Sequence, residues 1–311
     1  MKKKRPVAIT IRSFDSSGHL RQKIEDEFTI VYTNTSGVRL SEGELIRALN
    51  NVEYVIAGTE KYSKKVLESA GKLRAISRVG VGTDSIDTTV AARLNISILN
   101  TPEAPVIAVT EHALALLLAI LKYIPVYNSQ ARQGDQSIKP GILLSGKTVG
   151  IAGLGRIGFR FASLLSMMGC QIRYYDPYLK VPVPETWKSS QSLEELVRTS
   201  DIVSLHAAPK SDGSPLIDAA TLRNARPGLI LINTARGSLI DEAALEQAIQ
   251  EGIISAAGLD VFSKEPYTGA LLKYPQVIVT PHVASNTLES RGHMEFEAVE
   301  NLIQAKMRSD L

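Results

Sequence analysis

The sequence predicts an α/β protein with two doubly wound parallel-sheet domains, and three observations support this prediction. The length of 311 residues exceeds what one hydrophobic core usually requires, so two domains are expected. Strand-like segments alternate with helix-like segments over the first hundred residues, and the alternation starts again at Thr148. Such alternation is typical of parallel strands whose two faces are covered by helices.

The first series contains five short apolar segments that are predicted strands. They cover residues 7–11, 29–33, 52–58, 73–80 and 96–100. Between them, the segment 41–50 begins at Ser41 and has Glu44 three positions later, which is the pattern of a capping box at the start of a helix.

The second series contains six predicted strands, enough for a complete doubly wound nucleotide-binding sheet. They cover residues 148–153, 170–176, 201–207, 229–235, 255–262 and 276–282.

Two helices are predicted outside the alternating series. The first, residues 111–124, is apolar almost all round, so it either crosses between the domains or packs against a second subunit. The second, residues 287–307, has apolar Met294, Ala298 and Leu302 at four-residue spacing. It either closes the second domain or returns to the first.

The composition excludes several classes of protein. The 35 Lys and Arg against 32 Asp and Glu give a net charge of +3, which is too small to indicate nucleic-acid binding. The single cysteine, Cys170, excludes an internal disulfide and a cysteine-rich metal site, and no metal ion is expected. The longest apolar run, residues 113–121, is too short to cross a bilayer, and no signal peptide follows the basic start at residues 1–6. These features predict a cytoplasmic protein without a membrane role.

A glycine-rich pattern opens the second series. A strand-like segment leads into Gly153, Gly155 and Gly158, spaced G-x-G-x-x-G, and a helix-like segment follows. The first glycine permits a tight turn, the second lets a pyrophosphate approach the backbone, and the third lets helix and strand pack closely. The N–H groups at the start of the helix then point at the phosphates. This context predicts a dinucleotide site.

Asp176 indicates which dinucleotide would bind. It ends the next predicted strand, 176 − 158 = 18 residues past Gly158. Its carboxylate can accept hydrogen bonds from both ribose hydroxyls and would repel a 2′-phosphate, so NAD is favoured over NADP. Arg173 stands before the acid and does not reverse this preference. The alternatives are a glycine-rich turn without a ligand and a methyltransferase, which would not explain the rest of the chain.

Three polar residues stand at or just after the ends of three successive predicted strands of the second series, namely Arg236, Glu265 and His282. Ligands of open α/β sheets lie at the carboxyl ends of the strands, so these side chains can converge on one point. A guanidinium keeps its proton and its fork fits a carboxylate, which predicts an anionic substrate. Taken singly, the three can equally be an interdomain salt bridge, a surface acid and a capped strand end. Their joint occurrence in this order favours a catalytic site.

Five segments carry a resemblance to the D-isomer-specific 2-hydroxyacid dehydrogenases, and among them to the phosphoglycerate-dehydrogenase-like members. The segments are "SRVGVGTDSID" (77–87), "GLGRIG" (153–158), "NTARGSLIDEAAL" (233–245), "AGLDVFSKEP" (257–266) and "TPHVASNT" (280–287). The resemblance covers nearly the whole chain in the right order. It implies an NAD-dependent oxidoreductase that interconverts a small D-2-hydroxy acid and its 2-keto acid.

The resemblance implies a role for each residue of the predicted site. Arg236 matches the arginine that binds the substrate carboxylate and helps to polarise the carbonyl. His282 matches the general acid/base, and Glu265 matches the carboxylate that orients its imidazole and favours the imidazolium. The backbone N–H groups of Val79 and Gly80 are expected to complete the cradle for the substrate carboxylate.

A further set of residues is implied to bind NAD. Asp260 matches the aspartate beside the nicotinamide carboxamide. The full set is Gly153, Gly155, Arg156, Ile157, Gly158, Asp176, His206, Ala235 and Asp260. The other three histidines, His19, His112 and His293, are interpreted as structural or exposed.

The resemblance also implies how the domains are arranged. A Rossmann cofactor domain, residues 99–285, would be inserted into a flavodoxin-like substrate domain made of residues 1–98 and 286–311. The site would lie in the cleft between them, and closure would expel water. The apolar helix 111–124 would then belong to the interface of a homodimer.

Two features bear on the substrate and on the class of function. Phosphoglycerate dehydrogenases often carry an arginine that faces the substrate phosphate, and the matching position here is Ala57. Lys61 or Arg78 could take its place, although Arg78 is expected to lie under the substrate loop, which puts 3-phosphoglycerate in doubt. The sequence ends just after the last helix, so no amino-acid-sensing domain is expected. The alternative is an NAD-sensing scaffold on the same fold, as in the C-terminal-binding-protein corepressors, which keep the same catalytic residues.

Overall fold

The computed structural model describes residues 4–15, 18–179 and 181–309, so the first three residues of the basic start lie outside the described part. The strands are β1 (Arg5–Ile9), β2 (Phe28–Thr33), β3 (Tyr54–Ala57), β4 (Ala75–Arg78), β5 (Ser97–Leu99), β6 (Thr148–Ala152), β7 (Gln171–Tyr175), β8 (Lys188–Ser189), β9 (Ile202–Leu205), β10 (Leu229–Asn233), β11 (Ile254–Leu259) and β12 (Val277–Val279). The helices are α1 (His19–Glu27), α2 (Glu42–Ala48), α3 (Lys64–Ser69), α4 (Thr88–Arg93), α5 (Val106–Leu121), α6 (Ile124–Arg132), α7 (Arg156–Met167), α8 (Leu193–Thr199), α9 (Ala219–Arg223), α10 (Glu242–Gln250) and α11 (Leu288–Ser309).

The chain divides into two compact units. The first contains the described residues up to Pro105 and those from Asn286 onward, and the second contains Val106–Ser285. The first unit is therefore discontinuous in sequence, and the second is inserted into it.

The first unit is a five-stranded parallel sheet in the order β2-β1-β3-β4-β5. This is the flavodoxin-like order, and it confirms the predicted fold class. The predicted capping box is also confirmed. The Ser41 N–H donates to Glu44 Oε2 at 2.8 Å, and the Glu44 N–H donates to Ser41 Oγ at 3.4 Å.

The second unit is a seven-stranded parallel sheet in the order β12-β11-β10-β9-β6-β7-β8. Its strands from β8 to β11 follow the doubly wound order of a Rossmann fold, and β12 extends the sheet. The six predicted strands are all present. The seventh, β8, has two residues, Lys188 and Ser189, both exposed, and so it is too short to give an apolar pattern.

The predicted helix 111–124 differs from the structure at both ends. α5 begins at Val106 and ends at Leu121, and a new helix, α6, begins at Ile124. Tyr123 adopts a left-handed conformation with φ 53°. Pro125, in the first turn of α6, is the sequence signal for this boundary, because a proline usually ends the helix that precedes it.

α5 is a core helix of the second unit. Half of its residues are buried there. Among the described residues no single helix is long and apolar enough to cross a membrane, and α5 with α6 reaches that length only across a 60° bend.

α11 packs in the first unit, which decides between the two predicted locations of the last helix. Its residues Met294, Ala298 and Leu302 are at most 4% exposed, in a core cluster with Val7 and Ile9 of β1. The sequence pattern did not distinguish between the two sheets, because both have apolar faces that a helix can cover.

Replacing Leu302 with Ala should destabilise the protein, because the side chain is 1% exposed and its removal leaves a cavity. We expect the free energy of unfolding to fall by about 2–5 kcal/mol. Leu288→Ala is the matched control, since Leu288 lies on the same helix and is 89% exposed. Its effect should stay within about 0.5 kcal/mol. Urea unfolding followed by circular dichroism measures both, and equal losses would contradict the packing of α11.

Candidate active site at the carboxyl ends of β10 to β12

The turn that carries Arg236 is fixed by the last residue of β10. Asn233 is fully buried, and its side chain spans the turn. Asn233 Nδ2 donates to Arg236 O at 2.8 Å, and the Ala235 N–H donates to Asn233 Oδ1 at 3.0 Å. Arg236 Nη1 donates to Ala235 O at 2.6 Å, so the guanidinium folds over the same turn. Ala235, a predicted cofactor-binding residue, thus lies between the Asn233 side chain that spans the turn and the Arg236 guanidinium.

Gly237 allows this turn to lie directly against the loop that follows β11. A Cβ at residue 237 would come within 1.9 Å of the Phe262 carbonyl carbon and 2.4 Å of the Ser263 nitrogen. Since both are backbone atoms, no side-chain movement relieves such a clash. The glycine therefore brings the Arg236 turn into contact with the segment that leads to Glu265.

Glu265 and His282 form a hydrogen-bonded pair. Glu265 Oε2 lies 2.9 Å from His282 Nδ1, and Glu265 Oε1 accepts from the Phe262 N–H at 3.2 Å. Their side chains are 36% and 48% exposed, so both can be reached from solvent. An ionised carboxylate only accepts hydrogen bonds, which places a proton on His282 Nδ1. The other ring nitrogen, Nε2, is then the atom that can exchange a proton with a ligand.

His282 lies in a turn of unusual conformation. Its φ is 54°, in the left-handed region that a residue with a Cβ occupies at a cost of about 1–3 kcal/mol. Its N–H donates to Asp260 O at 2.8 Å and to Thr280 O at 3.0 Å. The surrounding hydrogen bonds hold this conformation.

Asp260 provides most of those hydrogen bonds. It is fully buried just after β11, and its carboxylate accepts from the Val283 N–H and the Ala284 N–H, each at 2.9 Å. Thr280 Oγ1 donates to Asp260 Oδ1 at 2.6 Å. The predicted cofactor residue is therefore also the anchor of the turn that carries His282.

Sequence reasoning missed three residues of this site. The sequence predicts Asn233 and Thr280 only as parts of strands, and it predicts His112 as structural or exposed. In the structure His112 Nε2 lies 3.0 Å from Thr280 Oγ1 and 3.5 Å from Asp260 Oδ1. The sequence feature that could identify Asn233 is its position at the end of a strand and before a turn. An Asn side chain at such a position often accepts a hydrogen bond from the backbone N–H two residues later.

The glycine-rich segment has the spaces that a dinucleotide requires. Gly153 has φ 90°, and a Cβ there would come within 2.7 Å of the Ala207 nitrogen. At Gly158 a Cβ would come within 2.1 Å of Gly153 O, so only glycine permits this approach of α7 to β6. At Gly155 a Cβ would meet no atom within 4 Å, and no side chain caps the start of α7 at Arg156 and Ile157. The residues fit a dinucleotide, since the backbone is open where a pyrophosphate would approach the helix N-terminus.

Asp176 lies beside this loop. Its Oδ2 accepts from the Leu154 N–H and its Oδ1 accepts from the Tyr178 N–H, each at 2.8 Å. The carboxylate is thus fixed at the end of β7, next to the glycine turn. Arg173, the nearby cation, pairs with Glu195 of α8 at 3.3 Å and is directed to that helix.

His206 differs from the other predicted cofactor residues because its ring is turned inward. Its Nε2 lies 2.9 Å from Ser204 Oγ, and its ring centre is 5.2 Å from that of Phe161 in α7. Burial lowers the pKa of His206 to about 3, so the ring is neutral at ordinary pH. The part of His206 that lies against Gly153 is its backbone carbonyl carbon.

The carboxylate cradle expected at Val79 and Gly80 stays a prediction, and both N–H groups have acceptors in this structure. The Val79 N–H donates to Ala57 O at 2.8 Å and so continues the pairing of β3 and β4. The Gly80 N–H donates to Thr101 Oγ1 at 2.7 Å. Both groups have acceptors inside the first unit, so neither is free for a substrate in this structure. The family resemblance implies a role for these two N–H groups, but it does not say which acceptors they have. The acceptors depend on the register of β3 and β4 and on Thr101, which is 21 residues from Gly80.

Comparison with known proteins identifies the second unit. Residues 114–284, more than half of the chain, match the model of the D-isomer specific 2-hydroxyacid dehydrogenase family, NAD binding domain. The match contains Arg236, Glu265 and His282 together with the glycine-rich segment.

Named relatives agree with this match. The chain is 38% identical over 242 residues to a D-3-phosphoglycerate dehydrogenase of Mycobacterium bovis, which is 76% of this chain and 46% of that protein. The chain thus spans about half the length of this curated relative.

Solved structures resemble the chain over nearly its full length. The TT0316 protein of Thermus thermophilus is 30% identical, with a TM-score of 0.86 and 97% of each chain covered. A glyoxylate reductase from Paecilomyes thermophila is 26% identical, with a TM-score of 0.88 and 98% and 96% covered. None of these comparisons supports the corepressor alternative. The predicted resemblance is confirmed: the chain belongs to the D-isomer specific 2-hydroxyacid dehydrogenase family, and its second unit contains the NAD-binding domain of that family.

Proposed function

We propose that this protein is an NAD-dependent oxidoreductase that interconverts a D-2-hydroxy acid and its 2-keto acid. The observation that carries the proposal is the 2.9 Å pair of Glu265 and His282, next to the turn of Arg236. NAD, when bound at the glycine-rich segment, supplies or accepts the hydride. The protein residues bind the acid and move the proton.

Arg236 is proposed to bind the substrate carboxylate. A guanidinium stays charged at every working pH, and its planar fork can make two parallel hydrogen bonds to a carboxylate. Asn233 and Gly237 fix the backbone on both sides of Arg236, so the base of the side chain has a defined position. A substrate carboxylate bound by this guanidinium would hold the neighbouring keto carbonyl in one orientation. That carbonyl is the group that reacts.

His282 is proposed to be the general acid/base. In the direction of reduction the imidazolium donates its Nε2 proton to the keto oxygen. In the direction of oxidation the neutral ring accepts the hydroxyl proton at the same atom. Glu265 holds Nδ1 and stabilises the imidazolium, so the two ring nitrogens have separate tasks.

The substrate class follows from what the described residues offer. Ala57, at the position that would face a substrate phosphate, is a fully buried methyl group at the end of β3. The proposal therefore covers the 2-hydroxy acid group and does not extend to 3-phosphoglycerate.

Asp176 is proposed to select NAD over NADP. Its carboxylate is fixed beside the glycine turn, where the ribose of the adenosine half would lie, and Arg173 is paired elsewhere. A negative charge at this point repels a 2′-phosphate.

We further propose a cytoplasmic homodimer in which residues 99–285 form the cofactor domain, which also carries Arg236, and residues 1–98 and 286–311 form the substrate domain. The support for the dimer is a group of exposed apolar side chains on α5, α6 and the segment that follows. They are Ile107, Ile124, Ile138 and Leu143, all more than half exposed. Exposed apolar side chains of this kind are the surface that a second copy of the chain would cover if they form one patch.

The acid/base role is tested with His282→Ala. NADH oxidation is first screened across glyoxylate, hydroxypyruvate, pyruvate, bulkier keto acids and 3-phosphonooxypyruvate. With the best acid, kcat/KM should fall by about 10²–10⁴, because the proton donor is lost. The exposed His293→Ala is the control and should leave kcat/KM unchanged. Unchanged turnover in His282→Ala would remove this residue from the mechanism.

The role of Arg236 is tested with Arg236→Lys, which keeps the charge and loses the planar fork. We expect the KM of the keto acid to rise about tenfold or more, while the KM of NADH stays constant. Arg226→Lys is the control, because Arg226 stands before the same strand and pairs with Asp201 at 2.8 Å. An equal KM for the keto acid in both variants would refute the carboxylate contact.

The cofactor preference is tested with Asp176→Asn. The ratio of kcat/KM for NADH over NADPH should fall at least about tenfold, or 1.4 kcal/mol, because the repelling charge is removed. Asp212→Asn is the control, since Asp212 also accepts from a backbone N–H two residues on and lies in an exposed loop. A constant ratio in the Asp176 variant would show that this carboxylate does not select the cofactor.

A further inference from the structure

We propose that His112 is a positioning residue that holds the catalytic turn of His282 through Thr280 and Asp260. The inference deepens the proposed function and rests on it, since it assigns a residue of α5 to the same site. His112 and Thr280 are 168 positions apart in sequence. They meet at 3.0 Å because α5 packs against β11, beside the end of β12.

The directions of the hydrogen bonds follow from the number of protons available. Thr280 has one hydroxyl proton, and it donates that proton to Asp260 Oδ1 at 2.6 Å. Thr280 Oγ1 can then only accept from His112, so His112 Nε2 must carry a proton. The result is a directed chain from His112 Nε2–H to the Thr280 hydroxyl and on to the Asp260 carboxylate.

This chain ends on the group that shapes the His282 turn. Asp260 Oδ1 accepts from both Thr280 Oγ1 and the Val283 N–H, while Oδ2 accepts from the Ala284 N–H. These donors lie on either side of His282, and its own N–H donates to the Asp260 carbonyl. A rotation of the Asp260 carboxylate would therefore move the backbone on both sides of the acid/base.

His112 is suited to prevent that rotation. Thr280 can turn its hydroxyl about the Cβ–Oγ1 bond, and a donor on its far side fixes the direction in which the proton points. His112 is 22% exposed and Asp260 is not exposed at all, so the contact is largely shielded from water. Shielding matters because a water molecule would otherwise supply a competing donor or acceptor.

The inference predicts a specific kinetic pattern. In His112→Ala, kcat should fall roughly ten- to a hundredfold, because a displaced His282 ring no longer meets the reacting oxygen. The KM of the keto acid should stay constant, because Arg236 is held by Asn233 and not by this chain. His112→Gln should restore most of kcat, since its amide nitrogen reaches about as far as Nε2 and donates a hydrogen bond.

Thr280 serves as the second point of the test. Thr280→Val keeps the shape and removes the hydroxyl, whereas Thr280→Ser keeps the hydroxyl. If His112 acts through Thr280, the double variant His112→Ala/Thr280→Val should have the same kcat as Thr280→Val alone. If the losses in kcat of the two single variants multiply in the double variant, His112 does not act through Thr280 and the proposed hydrogen-bond chain is wrong. Equal losses in Thr280→Ser and Thr280→Val would overturn the role of the hydroxyl.

A measurement without substrate separates this inference from the proposed function. Long-range ¹H–¹⁵N correlations on the ¹⁵N-labelled protein report which imidazole nitrogens carry protons. We expect a proton on His112 Nε2, and we expect His112→Ala to shift the His282 ring signals, whereas His293→Ala leaves them in place. An unprotonated Nε2 on His112, or unchanged His282 ring signals in His112→Ala, would overturn the inference. If the wild-type protein reduces no keto acid, the proposed function fails, and this measurement alone decides whether His112 sets the turn.

Discussion

The buried carboxylate of Asp260 is the constraint on which the site depends. A charge without solvent exposure costs several kcal/mol unless hydrogen bonds replace the lost water. The donors come from the residues that follow β12, and these residues must fold around the carboxylate to reach it. The left-handed conformation of His282 is a consequence of that requirement. The local backbone strain is thus offset by the hydrogen bonds that satisfy a buried anion.

The three strand ends are joined into one closed set of contacts. The Asp260 N–H donates to Asn233 O, and the Asn233 side chain holds the turn of Arg236. Gly237 places that turn against Phe262, whose N–H donates to Glu265. Glu265 binds His282, and the His282 N–H returns to Asp260. Each charged side chain is therefore attached to a backbone that its neighbours position, which is how parallel strands give a rigid site on loops.

The sequence was sufficient for the fold class. Parallel strands share one carboxyl edge, so the sequence also predicts that Arg236, Glu265 and His282 lie at one edge, and the structure pairs Glu265 with His282. β8 was not predicted because two exposed residues carry no apolar pattern. The contacts of common residues could not be predicted either. His112 and Thr280 are ordinary residues in a helix and at a strand end, and only the packing of α5 on the sheet brings them together.

Under the proposed function, an arginine, a carboxylate and a histidine have separate tasks. Arg236 cannot release its proton, so in the proposed reaction it would contribute a charge that stays constant. Glu265, as a carboxylate, accepts the hydrogen bond from Nδ1 of His282 and leaves Nε2 as the exchangeable position. A lysine in place of the arginine would introduce a second group able to lose a proton near the reacting oxygen. In the proposed reaction this combination would confine proton transfer to one nitrogen, and the hydrogen bonds around Asp260 fix the backbone that carries it.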